Sequence, residues 1–312
     1  MKNTVRLFAV LLSALMLFSC NSTSDVTTSA TTTVDTTQAP EPLSTTLTIS
    51  YDPRTGDTKE ATGEGSASLT VSRAYKSGDK IVVTLPEGQH YLAFSLGKDI
   101  MAETILYLPA SKFVYNVQTS TMSYPSALTS GSCTITARIP TAEELKETRN
   151  LACNPADLES NKKAYPHATT SNVHNKTNET DRLHFEARNA IDGFTQNNGH
   201  GGFPVQSWGP GSNMSTTDTL KIEFGRNVSL SKLVIFLRAD FPHDTYWESC
   251  TVKFSDGSTM NLNFTKSADG QQFAFDSAVV TDSITFTNFK KVAGSDWAAW
   301  MEVQAFGSDI IA

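Results

Sequence analysis

The sequence lacks paired cysteines, basic runs and the common catalytic motifs. Its 312 residues include four cysteines without a C-x-x-C pair, which excludes a zinc knuckle and a redox dithiol. Acidic residues outnumber basic ones by 32 to 25 and no basic run occurs, so we expect no nucleic-acid partner. The sequence also lacks G-x-S-x-G, H-E-x-x-H and P-loop motifs, which argues against the common hydrolase and nucleotide-binding classes.

The cysteines leave two alternatives open. Apart from Cys20, they are Cys133, Cys153 and Cys250, an odd number that does not suit a disulfide scaffold. A bridge between Cys133 and Cys153 is one alternative. Three buried and reduced thiols, which behave as small apolar side chains, are the other.

The N-terminus, residues 1–19, has the pattern of a secretory signal. Lys2 and Arg6 precede an apolar run, LFAVLLSALMLFS. This run is too short to be retained as a membrane-spanning helix. The run ends at Cys20, and Leu17 to Cys20 resembles a bacterial lipobox. This resemblance implies that Cys20 becomes an acylated N-terminus and anchors the protein to a membrane. An ordinary signal peptide with a chance cysteine is the alternative.

Residues 20–45 are predicted to be a solvated tether. The stretch 21–50 contains 16 Ser and Thr and no Lys or Arg, so it cannot bury enough apolar surface to offset its ordering entropy. Within it, Asp35-Thr36-Thr37 resembles the O-glycosylation acceptor of the Bacteroidetes. These features together predict a bacterial lipoprotein of the outer membrane whose folded part is exposed at the cell surface.

Residues 46–140 are predicted to form a small β-sandwich. Short runs rich in β-branched and aromatic residues alternate with turn signals such as Ser77-Gly78-Asp79 and Pro86-Glu87-Gly88. The predicted strands are LTISY, SLTVS, KIVVTL, HYLAFSL, TILYLP, FVYNV and TITARI. Thr141 and Glu144 then have the spacing of a capping box, which predicts a helical linker over 141–151.

Residues 152–312 carry a succession of motifs that resembles the discoidin domain, also called the coagulation factor type C domain. The matching segments are Ala190-Ile191-Asp192-Gly193, Trp208, LKIEFG at 220–225, VSLSKLVIFL at 228–237 and EVQAFG at 302–307. This family includes the family 32 carbohydrate-binding modules and has the galactose-binding-like jelly-roll fold. The resemblance implies a second domain that is all-β and binds carbohydrate.

The strand pattern leads to the same fold class without the resemblance. Leu220, Ile222 and Phe224 alternate with polar residues, as expected of a strand with one face in a core. CTVKF and TMNLNF flank Asp256-Gly257, which suits a tight hairpin turn. QQFAFD, DSITFTNF and WMEVQAF supply further strands. The chain is therefore predicted to be all-β, a small sandwich followed by a galactose-binding-like sandwich.

The segment LRADFPHDTYW, at 237–247, is rich in polar and aromatic groups just after a strand. Alternation in KLVIFLRAD places Arg238 and Asp240 on one face as the strand leaves the core, and Pro242 turns the chain into a loop. A sugar needs polar groups for its hydroxyls and an apolar plane for its ring. We therefore predict ligand contacts from Arg238, Asp240, His243, Asp244 and Trp247. The alternative is that Arg238 and Asp240 form an ion pair that fixes the loop.

The family resemblance adds further candidates, because its ligand loops gather at one end of the sandwich. His200 lies in NNGHGG, in the loop that follows the Asp-Gly step, and is predicted to face the ligand. In SDWAAW, one of Trp297 and Trp300 is predicted to stack on ligand and the other to be core, and we take Trp297 as the contact. Trp208 is predicted to be core.

A structural calcium ion is also implied by the resemblance. The family's aspartate of the Asp-Gly step and glutamate of the last strand correspond to Asp192 and Glu302. Because Ca²⁺ takes six to eight oxygen ligands, backbone carbonyls of residues 193–200 would complete the shell. Otherwise Asp192 caps its turn and Glu302 pairs with a neighbouring cation.

The function predicted from these features is binding rather than catalysis. The expected partners are a carbohydrate ligand, a membrane through the lipid anchor, and other proteins at the cell surface. A protein-binding adhesin, or a structural subunit of a surface complex, is the first alternative. A glycoside hydrolase with Asp240 and Asp244 as its carboxylate pair is the second.

Overall fold

A computed structural model describes the chain over residues 44–72, 74–97, 100–117, 131–158, 163–172, 185–196, 207–210, 217–239, 245–293 and 298–311. These residues lie in one compact unit. Cys20, the signal segment and nearly all of the tether are outside the described residues, so those predictions stay predictions. Within the described stretches, no helix is long and apolar enough to cross a membrane.

Two antiparallel sheets enclose a first hydrophobic core in the described residues between 46 and 138. One sheet has the order β2-β1-β4-β7 and the other β3-β8-β5-β6. Their strands are β1 (Thr46–Asp52), β2 (Lys59–Glu64), β3 (Ser66–Val71), β4 (Lys80–Thr84), β5 (Tyr91–Ser95), β6 (Thr104–Tyr107), β7 (Lys112–Asn116) and β8 (Cys133–Arg138). Each apolar run predicted to be a strand contributes to one of them.

Strand β2 has no counterpart in the sequence prediction. Its sequence, KEATGE, has no buried residue, and it lies at the edge of its sheet. It pairs along its length with β1, whose Leu47, Ile49 and Tyr51 fill the core. The backbone ladder to β1 therefore makes this segment a strand, without a hydrophobic face of its own.

The predicted helix is present but shorter than the predicted linker 141–151. Helix α1 (Ala142–Lys146) begins with the expected capping box, in which Glu144 N donates to Thr141 Oγ1 at 3.2 Å and Thr141 N donates to Glu144 Oε2 at 2.8 Å. The backbone is extended again at Glu147, and β9 (Arg149–Asn150) follows. The helix ends early because these residues pair with the last strand of the chain.

The remaining strands form one antiparallel sheet around a second core. They are β10 (His167–Thr170), β11 (Leu220–Leu237), β12 (Trp247–Phe254), β13 (Thr259–Asn263), β14 (Gln271–Lys291) and β15 (Trp300–Asp309). A 3₁₀ turn, Ala187–Ala190, precedes the Asp-Gly step. The order is β13-β12-β14-β11-β15-β9, and β10 pairs with β11. The structure confirms the predicted all-β class and β-sandwich architecture.

Two very long strands make this sheet fold over its core. The motifs LKIEFG and VSLSKLVIFL are parts of the single strand β11, and QQFAFD and DSITFTNF are parts of β14. The β11–β14 ladder is interrupted between Glu223 and Val228 and again between Leu230 and Lys232. Such irregularities bend strands, so one continuous sheet can supply both layers around the core.

Asp309, near the end of β15, joins the second sandwich to the first. Its fully buried carboxylate accepts hydrogen bonds from Arg226 Nε at 2.6 Å, from the Tyr91 hydroxyl at 3.2 Å, and from Arg149. The Arg226 guanidinium also lies 5.5 and 5.1 Å from the ring centroids of Tyr91 and Tyr107. A charged and aromatic cluster therefore connects the two sandwiches.

The three described cysteines are free thiols. Cys133 Sγ donates a hydrogen bond to the Leu96 carbonyl at 2.8 Å, and Cys250 is buried in the second core. Cys153 lies elsewhere, beside the Asp-Gly step at Gly193. The thiols are thus reduced and no bridge joins Cys133 to Cys153, although Cys153 is only partly buried.

Candidate functional site

The end of β11 forms one wall of a cavity. Leu233, Ile235 and Leu237 point into the core as the alternation predicts, whereas Phe236 points to the other side and remains half-buried. Beside it is a cavity of about 340 Å³. Polar and apolar groups line it, including Thr195, Gln196, Phe236, Arg238, Asp269 and Met301.

Two segments outside β11 contribute residues to the cavity lining. Thr195 and Gln196 come from the loop that follows the Asp-Gly step. On the other side, Gly270 approaches so closely that an added Cβ would lie 2.7 Å from Phe236 Cζ. Glycine at this position therefore leaves room for the Phe236 ring and for Val234, whose Cγ1 would lie 2.9 Å from the added Cβ.

Arg238, a predicted ligand contact, is part of the cavity wall, and its side chain is buried. It is 3% exposed, and its backbone N–H donates to the Ala299 carbonyl at 2.9 Å. Its Nη1 donates to Ser207 Oγ at 3.5 Å. The Arg238 side chain is therefore packed into the wall of the cavity rather than extended into solvent.

The prediction that Trp247 contacts ligand is wrong. Its indole is 2% exposed and stacks on Trp208, with ring centroids 5.2 Å apart. The β12–β14 ladder has a register shift between Trp247 and Ser249. This irregularity changes the alternation by one residue, so Trp247 faces the core together with Cys250 and Val252. A strict alternation would have turned it outward.

The other tryptophans agree with their predicted core roles where the structure describes them. Trp208 and Trp300 are both fully buried, and their ring centroids are 5.5 Å apart. The remaining predicted contacts lie outside the described residues: His200, Asp240, His243, Asp244 and Trp297. The alternative of an Arg238–Asp240 ion pair is also open for this reason.

Asp192 and Glu302, the predicted metal ligands, lie close together. Glu302 is fully buried, and its Oε2 accepts a hydrogen bond from Gly193 N at 3.2 Å. Phe194 N donates to Asp192 Oδ1 at 3.0 Å. Glu302 is also the register partner of Phe236, so this carboxylate pair adjoins the cavity wall.

The electrostatics of the pair are unfavourable for two bare carboxylates. Burial raises the pKa of Asp192 above its usual range, although nearby Arg188 opposes this. Burial and the Asp192 charge together raise the pKa of Glu302 well above its usual range. Both carboxylates also act on Cys153, whose thiol pKa is raised to about 12, mainly by burial. A cation between the carboxylates would relieve this repulsion.

The residues present fit a calcium ion. Glu302 Oε1 is buried without a hydrogen-bond partner among the described residues, so a carboxylate oxygen is left to bind a cation. Among the described residues, no cluster of three or more side chains drawn from His, Cys, Asp and Glu could hold a metal ion. Other oxygens would therefore have to complete the shell, and the sequence resemblance implied backbone carbonyls of residues 193–200.

Several cavity residues were missed from the sequence. Phe236 stands on the outward face of a strand end, and an apolar ring at such a position was the available signal. Gln196 follows the Asp-Gly step by three residues, within the loop that the resemblance had already singled out. Asp269 lies in the connection between β13 and β14, and no local pattern connects it to the end of β11.

Neither a protein-family model nor a curated protein sequence matches this chain. Among solved structures, a chitosan-binding module of a Paenibacillus chitosanase/glucanase is 16% identical with a TM-score of 0.35, covering 52% of this chain and 100% of the module. A family 32 carbohydrate-binding module from C. perfringens, in complex with galactose, is 15% identical with a TM-score of 0.34, covering 45% and 91%. A Streptococcus pneumoniae fucose-binding module is 12% identical with a TM-score of 0.36, covering 52% and 96%.

These neighbours are family 32 and discoidin-like domains, the type that the sequence motifs resemble. Their identities and TM-scores are low, and what they bind is a property of those proteins.

Proposed function

We propose that the second sandwich binds carbohydrate in the cavity at the end of β11, and that the protein acts by binding rather than catalysis. The observation that carries this proposal is the half-buried Phe236 ring in a cavity whose wall also contains the polar residues Gln196 and Asp269. An apolar plane next to hydrogen-bonding groups is what a sugar ring and its hydroxyls require. The cavity volume is near the lower end of ligand sites, about 300 Å³, which suits one or two sugar rings.

Phe236→Ala should weaken glycan binding roughly 10- to 100-fold, because it removes the apolar plane while leaving the polar wall in place. The measurement is a glycan array with the whole chain, followed by titration of the best-retained glycan. Phe306→Ala is the matched control. Phe306, on β15, is also a half-buried ring, but it contacts Lys232 and lies outside the cavity lining.

Three outcomes would contradict the proposal. Equal affinity of the Phe236→Ala variant and the parent chain would place the ligand elsewhere. Failure of the chain to retain any glycan would favour the protein-binding adhesin. Release of reducing ends from a retained polysaccharide would favour the glycoside hydrolase, with Asp240 and Asp244 as the carboxylates to mutate.

We further propose that Asp192 and Glu302 hold a calcium ion. The ion would neutralise the two carboxylates and tie the loop after Asp192 to β15, and Thr195 and Gln196 of that loop line the cavity. Calcium would thus shape one wall of the cavity rather than take part in a reaction.

Calcium at about a hundredfold excess over its Kd should stabilise the chain by about 2.7 kcal/mol, because it binds the folded state only. Thermal unfolding in Ca²⁺ and in chelator measures this difference. Glu302→Gln should abolish the stabilisation, whereas Glu248→Gln, which alters an exposed pair with Lys290, should keep it. An unchanged calcium effect in Glu302→Gln would remove this residue from the site.

The cellular setting is part of the proposal. The lipobox-like Leu17 to Cys20 and the Ser/Thr-rich tether support an outer-membrane lipoprotein with its sandwiches at the cell surface. Cys20→Ala should move the protein from the membrane fraction to the soluble fraction. Protease added to intact cells should remove the sandwiches of the parent protein if the anchor faces outward.

A further inference from the structure

A second cavity, of about 390 Å³, lies far along β11 from the first. It is lined by Tyr165, Lys221, Glu223, Arg226, Asn227 and Asp282. In the β11–β14 ladder, Glu223 pairs with Ser283 and Val228 with Thr281, so the four residues 224–227 stand opposite Asp282 alone. The extra residues leave the ladder, and the resulting bulge creates the cavity. Large bulges of this kind are often found next to functional sites. We name it the junction cavity.

The walls of the junction cavity are held in place from both sandwiches. Arg226 is fixed by Asp309, by the Phe224 carbonyl at 2.7 Å from its Nη1, and by the rings of Tyr91 and Tyr107. Tyr107 of the first sandwich exchanges backbone hydrogen bonds of 2.8 and 2.9 Å with Tyr165. The cavity is therefore preformed, and a ligand would not have to order its walls.

The Tyr165 ring packs directly against Gly225. Any larger residue at position 225 would displace the ring. Gly225 has φ of +70°, and a Cβ there would lie 2.4 Å from Tyr165 Cδ2. The ring packs against the backbone of the bulge while remaining half-buried. The cavity thus has an aromatic ring at a fixed position next to its polar groups.

The charges of the junction cavity balance. Lys221 Nζ contacts Glu223 Oε1 at 2.8 Å, which makes one neutral pair. Arg226 and Arg149 share Asp309, and Asp282 supplies a further negative charge. Of the residues that line the cavity, Lys221 and Arg226 would oppose a cationic ligand, and Glu223 and Asp282 would oppose an anion. Charge therefore favours a neutral ligand.

The hydrogen-bonding groups favour a ligand rich in hydroxyls. Carboxylates accept only, guanidinium and ammonium groups donate only, and the exposed Asn227 amide does both. A sugar hydroxyl can donate and accept at once, so neighbouring hydroxyls can use both kinds of group. We propose that the junction cavity is a second carbohydrate site, which binds a neutral sugar residue against Tyr165 and Asn227. The choice of a sugar as the ligand of the junction cavity rests on the proposed function, whereas the cavity itself does not.

The test is an NMR titration of the isotopically labelled chain with galactose, N-acetylglucosamine, mannose and fucose. We expect one of these sugars to shift the backbone amides of Glu223, Gly225 and Asn227. A Glu223→Ala/Asn227→Ala variant should weaken this response about tenfold or more, because it removes a partly exposed carboxylate and an exposed amide from the cavity wall. Phe236→Ala should leave the response unchanged.

The NMR shifts distinguish failure of the second site from failure of the first. Shifts at Phe236 and Gln196 without shifts at 223–227 would overturn the second site and leave the first intact. Shifts at 223–227 that persist undiminished in the double variant would also overturn it. Shifts at 223–227 that survive in Phe236→Ala and disappear in the double variant would establish it, even if the first cavity binds no sugar.

Discussion

Trp247→Ala should lower the free energy of unfolding by about 4 kcal/mol, and any loss of sugar binding should be explained by the unfolded fraction alone. Trp247 is buried among Trp208, Trp300 and Phe289, with centroid distances of 5.2, 5.7 and 5.0 Å. Truncation leaves a large apolar cavity in the second core and removes these ring contacts. Domains have about 5–15 kcal/mol of stability in total, so this is a large fraction.

Denaturant unfolding measures the effect, as a lower midpoint at nearly unchanged slope. Trp247→Phe is the control, because it keeps an aromatic ring and should recover part of the loss. Glycan affinity is then measured at a temperature where the Ala variant remains folded. Unchanged stability together with lost affinity would return Trp247 to the ligand surface and contradict its burial.

Asp309→Ala should destabilise the protein by about 3–5 kcal/mol, since it leaves two arginines near the junction without their shared counter-charge. The Asp309 side chain is fully buried, whereas those of Arg226 and Arg149 are 11% and 19% exposed. Solvent therefore screens this cluster poorly. Because Tyr91 of the first sandwich also donates to Asp309, the variant should loosen the contact between the two sandwiches as well.

Glu103→Ala provides the matched comparison. It removes a carboxylate 2.6 Å from Arg138, but these side chains are 43% and 31% exposed and Glu144 still pairs with the arginine. Such a surface pair contributes less than about 1 kcal/mol. Thermal unfolding of both variants measures the difference, and similar shifts in Tm would show that burial at Asp309 carries no special weight.

The fold could be predicted from the sequence because most strands have an apolar face. Leu47, Ile49 and Tyr51 in β1 alternate with less buried residues, and the capping box of α1 appears where Thr141 and Glu144 predict it. Strand β2 could not be predicted, since its partner rather than its own residues makes it a strand. The continuity of β11 and β14 was also missed, because bulges look like strand ends in a linear pattern.

The site was predictable only in part. Some of its residues depend on a register shift, and others depend on contacts between segments distant in sequence. The Asp-Gly motif placed Asp192, and the last strand placed Glu302, so the resemblance brought the two carboxylates together correctly. Trp247 was misplaced because it was assigned to the loop after Pro242, whereas it begins β12 and the register shift before Ser249 turns it into the core. Asp269 and Gly270 reach the cavity from a distant connection, and tertiary contacts of this kind leave no trace in spacing or composition.

Sugar is proposed to bind in the cavity at the end of β11. A crystal structure of the chain grown with its best-retained glycan tests this claim directly. We expect a sugar ring against the face of Phe236, with a hydroxyl within hydrogen-bonding distance of Arg238 or Gln196. A bound glycan that leaves this cavity empty of sugar would contradict the account.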